Sequence, residues 1–139
     1  MYQDRGIEID VDGAWLPDGR VKYGVIIRRE GKEIYREFGE VPEGESHFKA
    51  HRQVGGEIYA VIRALSWCAQ NEIAHCTIYY DYEGLAKWAN GTWKARTPLT
   101  EYYVNFLRNT PTHIDWVKVP AHKGLYWNEL TDKLAREGE

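Results

Sequence analysis

The sequence predicts an α/β fold: a mixed five-stranded sheet, its first three strands antiparallel, with helices on both faces. Three observations carry that prediction. Apolar and polar residues alternate from Ile7 to Asp12 ahead of two strand-like runs about Glu30-Gly31, apolar residues then recur at three- and four-residue spacing, and short apolar runs afterwards trade places with helical ones.

Taken in order, Ile7, Ile9 and Val11 alternate with Glu8, Asp10 and Asp12, the pattern of a half-buried strand, and Asp12-Gly13 is expected to turn the chain. Residues 21–29 and 32–39 read as two further strands about the turn Glu30-Gly31, which makes the first three an antiparallel meander. A polar loop with Pro42, Gly44 and Ser46 is expected next. From Val54, the residues Ile58, Val61, Ile62, Leu65 and Cys68 mark one face of an amphipathic helix of about four turns. Residues 77–80 form a short buried strand that ends at Asp81, and a helix over 82–89 stops at Asn90-Gly91. Pro98 opens a helix to about residue 108 with Thr97 as its cap, because proline has no N–H to leave unpaired in a first turn. Residues 113–119 give the fifth strand, and 125–136 a last helix with Leu130, Leu134 and Ala135 on its inner stripe. The element order is βββαβααβα.

A chain of 139 residues is most economically one domain, and its apolar content suffices for a core without disulfides or a structural metal. Cys68 and Cys76 flank a helix-to-strand connection and are expected as buried free thiols, which favours a reducing compartment. No apolar run approaches the ~20 residues of a membrane span, and no apolar signal core follows Met1, so a soluble, cytoplasmic protein is expected. The net charge of −3 lacks the basic footprint of most nucleic-acid binders. Bulk charge misleads, however, where several acids serve one metal site, since bound divalent ions reverse the local sign.

Four carboxylates stand where elements begin, end or turn toward a neighbour: Asp12, Glu57, Asp81 and Asp132, with His122 on a loop before the last of them. Each has an ordinary alternative. Asp12 can be the first residue of an Asp-Gly turn, Glu57 a partner for a helix dipole, Asp81 an N-cap, and Asp132 a surface partner of Arg136 one turn on. Gathered together they would repel one another and raise one another's pKa unless cations filled the site. Mg²⁺ prefers such hard oxygen ligands, and an ion pair can activate water, neutralise phosphoryl oxygens and stabilise a leaving oxygen. His122, a poor Mg²⁺ ligand, suits proton transfer.

Read with their flanking residues, these acids resemble the type 1 ribonuclease H family. Val11-Asp12-Gly13-Ala14 is similar to its first-strand motif, Gly56-Glu57-Ile58-Tyr59-Ala60 to its second-acid helix, and Tyr80-Asp81-Tyr82 to its third-acid strand end. Val119-Pro120-Ala121-His122-Lys123-Gly124, followed by Asn128-Glu129-Leu130-Thr131-Asp132-Lys133-Leu134-Ala135, resembles the histidine loop and final helix, the most specific block. The run from Ile78 to Gly84 with Lys87-Trp88 is similar to bacterial members joined to viroplasmin-like domains, although no separate hybrid-binding domain is expected in residues 1–139.

The resemblance implies a ribonuclease H-like fold and an endonuclease that hydrolyses the RNA strand of RNA–DNA hybrids, leaving 5′-phosphate and 3′-hydroxyl ends. It implies two Mg²⁺ ions, with Mn²⁺ as a substitute, held by Asp12, Glu57, Asp81 and Asp132. Asp12 would be the shared ligand, and His122 would help the leaving group or product release. Asp10 and Glu129 are neighbours that could be confused with the ligands. Hybrid contacts are expected from Gly13, Arg52, Gln53, Trp88, Trp93, Lys94, Arg96 and Asn128, in a protein acting as a monomer. Where the family often has an Asn pair before its second acid, this chain has His51-Arg52-Gln53-Val54, so amide reading of the minor groove falls to Gln53. Two alternatives stand beside this reading: another nuclease or strand-transfer enzyme on the same fold, and a module that binds duplex without cutting it.

Overall fold

The computed structural model describes residues 6–120 and 126–138. Its strands are β1 (Ile7–Trp15), β2 (Val21–Arg29), β3 (Lys32–Glu40), β4 (His75–Tyr80) and β5 (His113–Lys118). They form one sheet in the order β3-β2-β1-β4-β5. β1 pairs antiparallel with β2, and β2 with β3, whereas β4 runs parallel to both β1 and β5. The helices are α1 (Ser46–Ala50), α2 (Arg52–Gln70), α3 (Gly84–Ala89), α4 (Pro98–Asn109) and α5 (Tyr126–Glu137).

Strand alternation assigns each helix its face. Ile7, Ile9 and Val11 of β1, with Val21, Val25 and Ile27 of β2, are buried together with Ile58, Val61 and Leu65 of α2. Tyr23 meets Tyr59 of α2 edge-on at 4.9 Å on that side. The alternate residues of the two strands turn to α5: Gly24 lies under Thr131 and Ala135, and Arg28 under the Trp127 ring. α1 and α4 extend the α2 layer. Tyr103 of α4 is fully buried and donates its hydroxyl to the Leu85 carbonyl at 2.9 Å, tying α4 to α3.

The expected cap holds, with Thr97 and Thr100 forming a reciprocal capping box ahead of Pro98. Cys68 and Cys76 are both free and buried. Two expectations need correction. Asp12-Gly13 does not turn the chain: β1 continues to Trp15, and the reversal follows at Leu16–Arg20, where the Leu16 N–H donates to the Arg20 carbonyl at 2.9 Å. The polar loop expected around Ser46 contains α1, which the burial of Phe48 pins to the core. One large apolar residue in a five-residue helix is too little for periodicity to register.

Candidate active site

Three glycines decide how closely the layers approach. A methyl at Gly13 would lie 2.5 Å from the Glu57 nitrogen and 2.6 Å from the Gln53 carbonyl, and one at Gly56 would lie 2.5 Å from the Lys22 carbonyl. β1 and α2 therefore meet backbone to backbone, and Gly13 serves this contact rather than a turn. On the opposite face a methyl at Gly24 would lie 3.0 Å from the Thr131 carbonyl, so α5 also sits directly on the sheet. These contacts bring Glu57 and Asp132 to the strand that carries Asp12.

The parallel ladder supplies the other neighbour. Asp10 pairs with Tyr79, and two residues further along each chain Asp12 comes level with Asp81, just past the end of β4. Asp12, Glu57 and Asp81 each offer a carboxylate oxygen, and these lie within 4.8 Å of one another. Asp132 stands beside Asp12 but is turned toward Arg136, whose Nε lies 3.1 and 3.2 Å from its two oxygens. The described residues thus bring three acids tightly together with a fourth alongside. His122 lies outside the described residues.

Among the described residues, negative charge dominates the electrostatics around Asp12 and Glu57. Burial, then the charges of Asp81 and Asp132, push Asp12 up to about 8, against a bond from the Gly13 N–H at 2.8 Å that favours the carboxylate. Burial, then Asp81 and Asp12, push Glu57 up to about 9, only partly offset by the Gln53 amide at 3.5 Å. Glu57 Oε1 is buried and has no hydrogen-bond partner among the described residues. A buried acceptor left unpaired beside two other carboxylates, in an all-oxygen donor set, fits a hard divalent cation such as Mg²⁺ or Mn²⁺. Nor does Glu57 interact with a helix dipole as a first-turn residue would, since it is the sixth residue of α2. Asp81 is no cap either; that position before α3 belongs to Glu83.

Asp10 is set apart by its partner, for Arg28 donates to its carboxylate at 2.6 and 3.1 Å and to Glu8 at 2.8 Å. Glu129 is exposed. Of the expected hybrid contacts, Gln53 borders the acids, and Gly13 is consumed by the helix contact. Asn128 is buried within α5. Arg52 is exposed in a left-handed conformation (φ 55°), its guanidinium 4.5 Å over the Trp15 ring. Trp88 is half-buried among Tyr82, Trp93 and Tyr103. With Trp93 and Lys94 it lines an open groove of about 770 Å³ that Glu101 and Arg108 complete. Arg96 is exposed nearby in sequence. Trp15, Glu101 and Arg108 were not singled out from sequence. The exposure of Trp15, the last residue of β1, is not reported by alternation at a strand's end.

Known proteins can be set against this geometry. The RNase H family profile matches residues 4–139. A ribonuclease H of Chromobacterium violaceum is 34% identical over 154 aligned positions, covering 99% of this chain and 97% of that one. The RNase H1 of the archaeon Halobacterium salinarum superposes with a TM-score of 0.77 at 19% identity, over 95% of this chain and 96% of that one. LC11-RNase H1, solved in complex with RNA/DNA hybrid, superposes with a TM-score of 0.71 at 19% identity, over 91% and 94%. Sequence and fold agree along almost the whole length: the chain belongs to the RNase H family and is a ribonuclease H enzyme.

Proposed function

We propose that this protein is an endonuclease that cleaves the RNA strand of RNA–DNA hybrids, leaving 5′-phosphate and 3′-hydroxyl ends, and that it works as a cytoplasmic monomer. The observation that carries the reading is the convergence of Asp12, Glu57 and Asp81 around an unpaired, buried Glu57 oxygen. A relative solved with RNA/DNA hybrid supports the substrate class. The free thiols Cys68 and Cys76 suit a reducing compartment.

Asp12, Glu57, Asp81 and Asp132 would hold a pair of divalent cations, Mg²⁺ or Mn²⁺. When bound, the ions supply acidity to the attacking water and neutralise charge on the phosphoryl and leaving oxygens. The protein's residues do the remainder. Gln53 holds Glu57 and presents its amide toward the minor groove, where the 2′-hydroxyl distinguishes RNA from DNA. Arg52 on Trp15, Lys94 in the groove with Trp88 and Trp93, and the exposed Arg96 contact phosphate and sugar. His122 delivers a proton to the leaving oxygen.

The test is cleavage of labelled RNA–DNA hybrid, duplex RNA, duplex DNA and single strands with Mg²⁺, with Mn²⁺ and with EDTA. The expected result is scission of the RNA strand in hybrid alone, abolished by EDTA. Cutting of duplex DNA would transfer the protein to a different nuclease class, and hybrid retention without scission under every metal condition would make it a binding module.

A further inference from the structure

At the end of the sheet remote from the acids, β4 and β5 begin side by side with His75 paired to His113 and Thr77 to Asp115. Residues two apart on a strand share a face, so His113 and Asp115 stand on the same side of β5 as His75 does on β4. The Asp115 carboxylate reaches both rings: Oδ2 lies 2.7 Å from His75 Nε2, and Oδ1 lies 3.4 Å from His113 Nε2. The imidazoles are stacked, with centroids 5.3 Å apart and an angle of 17° between planes. One donor atom from each of the three lies within 4.8 Å of the others.

We propose that His75, His113 and Asp115 form a second cation site, distinct from the acid cluster and selective for a borderline transition metal of the Zn²⁺, Ni²⁺ or Cu²⁺ class. Two imidazole nitrogens and one carboxylate oxygen are the donors that such ions prefer and that Mg²⁺ does not. With Zn–N and Zn–O distances of about 2.1 Å, tetrahedral ligands stand about 3.4 Å apart. The His113–Asp115 separation already matches, and His75 needs only to ease away from the carboxylate. All three side chains are at least 40% exposed, so the rings can turn to aim their lone pairs and water can take the fourth position. The backbone ladder fixes the three Cα positions beforehand. A metal here would bridge the first residues of two parallel strands and stabilise the folded chain by linkage, since the unfolded chain does not hold the three groups together.

Zn²⁺ titration by calorimetry in excess Mg²⁺, together with thermal melting, tests the site on the full chain. Asp81→Asn serves as the control that alters the acid cluster. One equivalent of Zn²⁺ is expected to bind the wild type and Asp81→Asn alike and to raise the melting temperature of both. His113→Ala and Asp115→Asn should weaken that binding by about 10–100-fold or more, the scale set by losing even an outer-shell partner. The Cu²⁺-loaded protein should give an electron paramagnetic spectrum split by two nitrogens, reduced to one in His113→Ala. Unchanged Zn²⁺ affinity in both His113→Ala and Asp115→Asn would overturn the proposal, as would loss of binding in Asp81→Asn alone, which would send the ion to the acids.

Discussion

Asp10 and Asp12 sit two residues apart on one face of one strand, both at most 3% exposed, yet they live in opposite electrostatic settings. Burial raises the pKa of Asp10, and Arg28, gripping it at 2.6 and 3.1 Å, offsets part of that rise. Arg28 is itself held by Glu8 and capped by the rings of Tyr79 and Trp127. For Asp12 burial raises the pKa too, but both neighbouring side-chain charges raise it further. One pleat separates a carboxylate that the chain neutralises with its own cation from one that it leaves to be neutralised from outside. A buried acid with a built-in partner serves the fold, and a buried acid crowded by other acids is held for a ligand.

Substitutions at each member test that contrast. The largest expected effect is at the unpaired cluster: Asp81→Asn should lower turnover on hybrid by about 10³-fold or more, since bound divalent ions contribute several kcal/mol to such reactions. The same substitution should raise the metal-free melting temperature by about 2–6 °C, because it relieves both Asp12 and Glu57. Near-normal rates in Mg²⁺ would remove Asp81 from the site. Arg28→Ala should do the reverse, destabilising the protein by about 3–5 kcal/mol in denaturant titration by stranding Asp10, with Mg²⁺ giving no specific rescue. A loss below about 1 kcal/mol would show that Arg28 is dispensable to Asp10.

Gly13→Ala should come next, at about 1–3 kcal/mol of stability, because its methyl meets backbone atoms that have no room to yield. It should also shrink the thermal shift given by Mg²⁺, since it pushes Glu57 away from Asp12. A normal shift would uncouple the helix contact from the metal site. The pH dependence of stability gives a further test. Asp12 and Glu57 titrate near 8 and 9 when folded, against ordinary values of 3.8 and 4.5, so the folded state binds the extra protons. This contribution to the stability of the metal-free protein is therefore complete below about pH 4 and is lost progressively as pH rises from there through 8 and 9. Saturating Mg²⁺ should flatten that fall, and a metal-free melting temperature that climbs over the same range would contradict the shifts.

Much of this was legible in the residues. Strong alternation in β1 and three- and four-residue spacing in α2 marked those elements, because each buries one face over many residues. The acids were legible through their flanking motifs, as no single one of them is distinctive. What escaped was whatever depends on two distant segments meeting. Asp12-Gly13 looked like a turn because Asp-Gly commonly is one; only the presence of α2 overhead explains the glycine. The neutralisation of Asp10 depends on Arg28 lying across the hairpin, and that cross-strand relation appears in no local pattern. His75, His113 and Asp115 became neighbours only once the register of β4 against β5 was known. Asp132 kept both of its readings, since it flanks Asp12 while holding Arg136.

The parallel pairing of β1 with β4 bears on when the pocket comes into existence. Parallel neighbours cannot be joined by a tight hairpin, so Asp12 and Asp81 meet only after the intervening meander and α2 have crossed over. On the ribosome the early hairpins can therefore close without any penalty from crowded negative charge. Crowding of Asp12 and Glu57 by Asp81 is added only when β4 docks beside β1.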